Sequence, residues 1–279
     1  MKQTTIIQTI ELFPKIDEKL IEVLSSLSPQ DWEKQSIAPL WRVKDIAVHL
    51  LDGNIRTLSM LRDKYFGVVP ESINSYQDLL DYLNKLNRDW VTAMKRVSPA
   101  IIIELLTSTG KEYNDYLATL DPQATATFSV AWAGEEESSN WFHIAREYTE
   151  KWHHQQQIRF AVGQTAELYR KEFYFPYLET SMRALPHHYK NVKSQEGDVI
   201  HFHITGEGGG DWFLEYDGSV WGLIDNASKA PVTEVTIEGE IAWRIFTKGI
   251  IKQTAAKHIS IKGNQLLGEK IIDMLAVMA

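Results

Sequence analysis

Residues 140–163 read NWFHIAREYTEKWHHQQQIRFAVG, a stretch in which polar and apolar residues recur at helical spacing. At about 100° per residue, one set of side chains falls within a sector of roughly 80° on the predicted helix, and His153 is predicted to point elsewhere. The set comprises His143, Glu147, Glu150, His154, Gln157 and Ala161. A stripe of acids, imidazoles and an amide is a poor hydrophobic face. It therefore faces either water or a polar centre inside a helical bundle.

Metal-ligand spacing singles out two residues of this stripe. Glu150 and His154 are four residues apart, so their side chains project from one helical face and can share a metal ion. His49 is the best candidate for a third ligand, because it is a lone histidine in a strongly apolar predicted helix. Gly53, one turn later, suggests that another group approaches closely there, since glycine is costly in a helix interior. The alternatives are a core histidine at position 49 and a solvated Glu-His pair.

Composition limits the chemistry that the chain can perform. The 279 residues include 37 acidic and 29 basic side chains and no cysteine. The net negative charge argues against nucleic-acid and anionic-membrane partners, which need clustered Lys and Arg. Without cysteine, a metal must be held by His, Asp or Glu, and any thiol must come from outside. The N-terminus lacks a signal-peptide pattern and no segment is apolar enough to span a membrane, so a cytoplasmic protein is expected.

Two domains are predicted, residues 1–168 and 169–279, because the hydrophobic period changes near 164–172. Before the boundary, helical spacing predicts a bundle of four principal antiparallel helices with short extra ones. These cover 43 to about 65, 75–97, 100–120 as one helix or two around Gly110, and 140–162, after a first run at 16–27. Beyond the boundary, a helix at 172–185, short strands and two amphipathic stretches predict a small α+β domain with a mostly antiparallel sheet. The strands cover 199–204, 212–216, 219–223, 232–237 and 258–261, and the amphipathic stretches cover 240–248 and 265–277.

Two further groups in the second domain carry possible chemistry. His201 and His203 lie two apart on a predicted strand, so they share a face and can chelate a metal, although such a pair is more often simply exposed. Arg244, on the stretch that begins at Glu240, is a candidate catalytic residue that anchors an anion, with a solvated arginine as the alternative.

The chain resembles the DinB-like metal-binding four-helix bundles in two motifs. Trp41 to Asn54 resembles the family's second-helix signature, a Trp followed by a helix carrying a His-Leu pair. The segment from Glu150 to Gly163 resembles its other signature, two ligands four apart followed by Gln-Ile and Gly. Within that superfamily, the glutamate and the added C-terminal half are most similar to the mycothiol-dependent maleylpyruvate isomerase group, whose second domain resembles sterol-carrier proteins. Gln157 stands where that group usually has an Asp.

The resemblance implies that His49, Glu150 and His154 are the metal ligands. Two imidazoles and a carboxylate leave a coordination position open; zinc is the first choice, and nickel or ferrous iron also suits the set. Gln157 is a candidate catalytic residue that orients a ligand or binds substrate, and Glu147 is a candidate partner of a ligand imidazole.

The expected activity is metal-dependent activation of a low-molecular-weight thiol, for transfer to or isomerisation of a small electrophilic molecule. One alternative is a metal-dependent hydrolase that uses bound water. Another is a non-catalytic protein that binds a lipid or small ligand in its sterol-carrier-like half. Either a monomer or a homodimer is compatible with the sequence.

Overall fold

The computed structural model describes residues 5–68, 70, 72–227 and 229–277 of the chain. The expectation that no signal peptide is present rests partly on residues 1–4, which lie outside the described residues. Within the described ranges, no helix is both long and apolar enough to cross a membrane.

The structure has helices throughout and strands only after residue 198 in the part of the chain that it describes. The α-helices are α1 (Phe13–Ser26), α2 (Pro29–Trp32), α3 (Val43–Thr57), α4 (Tyr76–Met94), α5 (Pro99–Leu117), α6 (Asn140–Val162), α7 (Lys171–Ser181), α8 (Leu185–His188), α9 (Gly239–Phe246), α10 (Lys252–Ala255) and α11 (Gln265–Gly268). The strands are β1 (Val199–Ile204), β2 (Gly210–Tyr216), β3 (Trp221–Ile224), β4 (Thr233–Ile237) and β5 (Ile259–Gly263). The fold class predicted from the sequence, a helical bundle followed by a mostly antiparallel α+β domain, is confirmed.

Local sequence signals start and stop the helices. Helix α2 begins after Ser28, whose hydroxyl accepts a hydrogen bond from the Asp31 amide at 3.2 Å. Helix α5 begins after Ser98, with Pro99 in the first turn, where a missing amide hydrogen costs nothing. Helix α6 ends at Val162 and is followed by Gly163, which adopts a left-handed φ of 75° that a side chain would disfavour.

The bundle unit contains Gln8–Thr127 and Glu150–Thr165. Its core is formed by the apolar faces of α1, α3, α4, α5 and the second half of α6. The buried residues of this core include Leu20, Val23, Leu24, Trp32, Val43, Ile46, Ala47, Leu51, Val91, Met94, Ile102, Leu106 and Ile158. The indole nitrogen of Trp90 on α4 donates to the Val48 carbonyl of α3 at 2.7 Å, which links these two helices.

Among the described residues, the α+β unit contains residues 5–7, Phe128–Thr149 and the chain from Ala166 onward. In its described part, the sheet has the strand order β3-β2-β1-β4-β5. Strands β1 and β4 pair in parallel and the other neighbours are antiparallel. Residues on β1 alternate between the buried core and a more exposed face, as the period of two predicts. Helix α6 contributes to both units and changes unit between Thr149 and Glu150.

Some predicted boundaries differ from the structure. The α-helix from Val43 ends at Thr57, and a π-helical turn, Leu58–Arg62, replaces its last part. Helix α5 runs unbroken through Gly110. The predicted stretch 265–277 is only four residues of α-helix followed by a 3-10 turn, Glu269–Asp273. The domain boundary at residue 168 stays a prediction.

Candidate metal centre

Two facing helices of the bundle unit bring the nominated ligands together. His49 lies in the middle of α3, and its ring centroid is 4.7 Å from that of His154 on α6, with the two rings nearly edge to face. One turn before His154, Glu150 places its Oε2 at 3.6 Å from the His154 Nε2. Residues that are about 100 positions apart in the chain therefore share one point between α3 and α6.

His153 also reaches this point, so the prediction that it points elsewhere is wrong. Its Nδ1 lies 4.0 Å from the Glu150 Oε2, and its ring centroid lies 3.9 Å from that of His154. One ligand atom each from Glu150, His153 and His154 lie within 4.8 Å of one another. The prediction used only the directions of the Cα atoms, which differ by about 100° between neighbouring residues. Rotation about the side-chain bonds brings the His153 ring back toward His154 despite this difference.

Trp41 and Gln157 set the orientation of the imidazoles. The Trp41 ring lies 4.6 Å from the His49 ring and 5.8 Å from the His154 ring, so it contacts both. The His154 Nδ1 lies 3.0 Å from the Oε1 of Gln157, one turn later on α6. If His154 donates its Nδ1 hydrogen to this amide oxygen, its Nε2 is left as a lone-pair donor on the side of Glu150, the arrangement that a metal ligand requires. The sequence predicted such a role for Gln157, whereas Trp41 entered only as part of a family motif.

The environment of His49 fits a metal ligand. Its buried Nδ1 has no hydrogen-bond partner among the described residues, and an unsatisfied buried nitrogen costs free energy that a bound ion can offset. Burial of the ring lowers the pKa of His49 well below its usual value. The imidazole is therefore neutral at physiological pH, which is the form that binds metals. Two or three imidazole nitrogens and one carboxylate suit zinc or another divalent transition ion.

A buried polar network joins the helices that carry the candidate ligands. The Lys151 ammonium on α6 donates to Asp17 of α1 at 2.7 Å and to Asn54 of α3 at 3.0 Å. Asn114 of α5 donates to the other carboxylate oxygen of Asp17 at 3.0 Å. At Gly110, a Cβ would lie 3.0 Å from the Asp17 carboxylate, so the missing side chain makes room for the network. Because Lys151 follows Glu150 directly, this network fixes the register of α6 against α3.

The predicted stripe on α6 divides where the helix changes unit. His143 and Glu147 belong to the α+β unit, whereas Glu150, His154 and Gln157 belong to the bundle unit. Glu147 forms an ion pair with the neighbouring Arg146 at 2.8 Å. Its predicted role as a partner of a ligand imidazole stays a prediction.

Stability at acid pH is expected to depend on His143. Burial lowers the pKa of His143 to about 4, with Glu147 opposing the shift and Arg146 adding to it. The unfolded chain, with a histidine pKa of about 6.5, binds more protons than the folded chain between these values. The buried, neutral His143 therefore contributes about 3 kcal/mol to the free energy of unfolding above pH 6.5, and this contribution is lost as the pH falls through 4. Urea unfolding of wild type and His143→Gln from pH 7.5 to 4 measures it; equal pH slopes would contradict the assignment.

Arg244 lies in the α+β unit, on the last turn of α9. Its Nε donates to the Gly249 carbonyl at 3.4 Å, just beyond the helix end. Partial burial lowers the pKa of Arg244, which nevertheless stays charged because arginine titrates far above physiological pH. Its role as an anion anchor stays a prediction.

Comparison with known proteins agrees with this architecture. The sequence model of the mycothiol maleylpyruvate isomerase N-terminal domain matches residues 13–159, more than half of the chain. A crystal structure of a histidine-to-alanine mutant of the mycothiol-dependent maleylpyruvate isomerase is similar over 91% of both chains, with a TM-score of 0.53 and 9% identity. Another crystal structure of the mycothiol-dependent maleylpyruvate isomerase matches 85% of this chain and 86% of its own, with a TM-score of 0.48 and 8% identity. No curated protein matches the sequence.

The fold and the site define the class of protein: a DinB-like helical bundle, in which a histidine of α3 meets a histidine and a glutamate of α6, followed by an α+β domain. The chain belongs to the mycothiol maleylpyruvate isomerase N-terminal domain family.

Proposed function

We propose that this protein is a metal-dependent enzyme in which His49, Glu150 and His154 hold a divalent ion that activates a low-molecular-weight thiol. The observation that carries the proposal is the meeting of His49 with Glu150 and His154 between α3 and α6, in a chain without cysteine. When bound, a divalent ion there supplies a positive charge that lowers the pKa of a thiol or polarises a carbonyl. Zinc is the first choice, and nickel or ferrous iron suits the same donors.

The protein's own side chains prepare this point for a ligand. Gln157 orients His154 through the contact at 3.0 Å, and Trp41 covers both imidazoles on one side. No described heavy atom beyond its chain neighbours and helix backbone lies within 4 Å of where a Gly53 Cβ would be. The close approach expected at Gly53 is thus not made by the described residues. The space beside Gly53, one turn from His49, is therefore open among the described residues.

The family and the missing cysteine support a proposal for the substrate class. We expect a small electrophile with an activated carbon–carbon double bond, as in maleylpyruvate, and an external thiol such as mycothiol. A thiolate adds to one alkene carbon, the former double bond rotates as a single bond, and expulsion of the same thiolate restores a double bond of opposite geometry. The thiol is regenerated, so the step needs no oxidant or reductant. Arg244 is the candidate anchor for a substrate carboxylate.

Turnover should therefore require both the metal and the thiol. We expect the zinc-loaded protein to isomerise maleylpyruvate when mycothiol is present and to fall to the uncatalysed rate when the thiol or the metal is removed. Absorbance of the product against time measures the rate, and chelator treatment followed by zinc addition is the control for metal loss. Thiol-independent release of a hydrolysis product would instead support the metal-dependent hydrolase. If the purified protein bound no divalent metal, both enzyme hypotheses would be wrong, and the non-catalytic ligand-binding protein would be favoured.

A further inference from the structure

The more exposed face of the sheet carries a second group of metal-binding side chains. His201 and His203 lie two residues apart on β1 and share this face. The antiparallel register places Asp211 of β2 directly opposite His203. Both imidazoles are partly exposed and the aspartate is exposed, so an ion from solvent can reach them.

Both imidazoles of this group contact the same carboxylate oxygen. The His201 Nε2 and the His203 Nδ1 lie 2.7 Å and 2.9 Å from the same oxygen of Asp211, its Oδ1. The His201 ring is stacked on Phe213, with centroids 4.6 Å apart and planes within 14°, so its orientation is held by packing. On the other side, Glu234 of β4 stands beside His201 in the parallel register, where it forms an ion pair with Lys262 of β5 at 3.6 Å.

The charge of the site favours a cation. The Asp211 side chain is exposed, and an exposed aspartate is ionised at physiological pH. Each ring now donates one N–H to the same Asp211 oxygen. A bound ion would take the place of these hydrogens and accept the lone pairs of the two nitrogens.

We propose that His201, His203 and Asp211 form a second metal site, for a divalent ion of the zinc, nickel or copper type. Two imidazoles and a carboxylate are the donors that such ions prefer, and water can complete the coordination. Mg²⁺ and Ca²⁺ are poor fits, since they need more oxygen ligands than this face presents. For each histidine to bind, the hydrogen on the coordinating nitrogen moves to the other ring nitrogen by exchange with water. This site lies in the α+β unit and does not depend on the proposed activity of the bundle.

A metal titration of the full-length protein tests the proposal. Isothermal titration with zinc chloride, after chelator treatment, should show one fewer bound ion per chain in His203→Ala than in wild type, or an affinity weakened by at least about tenfold. His258→Ala is the matched control, because His258 also contacts a carboxylate, that of Glu238 at 2.8 Å, but has no second imidazole in that contact. It should bind zinc as wild type does.

The result that would overturn the proposal is a His203→Ala titration equal to that of wild type. A His154→Ala variant separates the two centres, because it removes a ligand of the bundle site and leaves the sheet site intact. If that variant still binds the ion that is lost in His203→Ala, the sheet site stands even where the proposed enzyme activity fails. Circular dichroism of His203→Ala, which changes a partly exposed side chain, checks that the fold is retained.

Discussion

Replacing His154 with alanine is expected to strip the metal from the bundle and to lower kcat/KM by at least about a hundredfold. Loss of a residue that merely supports a metal ligand already costs about 10- to 100-fold, and His154 lies at the centre of the cluster. It contacts His49, Glu150, His153 and Gln157. Metal analysis of the purified variant, together with the thiol-dependent rate, measures the effect.

A comparison of His49→Ala with His153→Ala decides which imidazole completes the ligand set. We expect His49→Ala to lose the metal and His153→Ala to retain it, because bundles build metal sites from facing helices and His49 comes from the facing helix. The opposite pattern would show that Glu150, His153 and His154, all on α6, hold the ion instead. Unfolding of both variants in urea shows whether metal is lost through the ligand or through a loss of fold.

Replacing Asp17 with alanine is expected to lower the free energy of unfolding of the bundle by about 3 kcal/mol. The substitution leaves the Lys151 ammonium largely buried and without the carboxylate that now lies 2.7 Å away. A buried charge that loses its partner pays its full cost of leaving water. Asn54 still accepts at 3.0 Å and the Tyr113 ring lies 4.7 Å from the ammonium, but neither supplies a negative charge. Urea unfolding measured by circular dichroism checks the value.

Two further variants test this explanation. In the double variant Asp17→Ala, Lys151→Met the unpaired charge is absent, so we expect part of the lost stability to return. Asp115→Ala breaks the pair that Asp115 forms with Lys111 on the surface of α5, at 2.6 Å, and should unfold close to wild type. If Asp17→Ala were no more harmful than Asp115→Ala, the buried network would contribute nothing to stability.

The sequence predicted those elements whose signals are local. Helix α6 begins at Asn140 and ends at Val162 as expected, because the helical period and Gly163 lie within the segment itself. Strand β1 has its predicted bounds, Val199–Ile204, because one side of it is buried and the residues alternate. Such signals act over a few residues, so no knowledge of distant contacts is needed.

Elements that depend on distant partners were less predictable. The sequence left open whether α5 is one helix or two around Gly110. In the structure α5 is one helix, and Asp17 of α1 occupies the space beside Gly110. The segment after Gln265 has an amphipathic pattern but forms only a short helix, α11, and a 3-10 turn. His153 was assigned to the wrong side because side-chain rotation moves its nitrogen far from the direction of its Cα.

By itself, the sequence determined the kind of chemistry open to this protein: nitrogen and oxygen donors for a metal, and sulfur only from an external thiol, since the chain has no cysteine. It also paired Glu150 with His154, because four residues make about one helical turn. Only the tertiary structure decided that His49 meets them, at 4.7 Å from the His154 ring. That distance depends on how α3 packs against α6. The apolar faces of both helices and the Lys151 network together determine this packing.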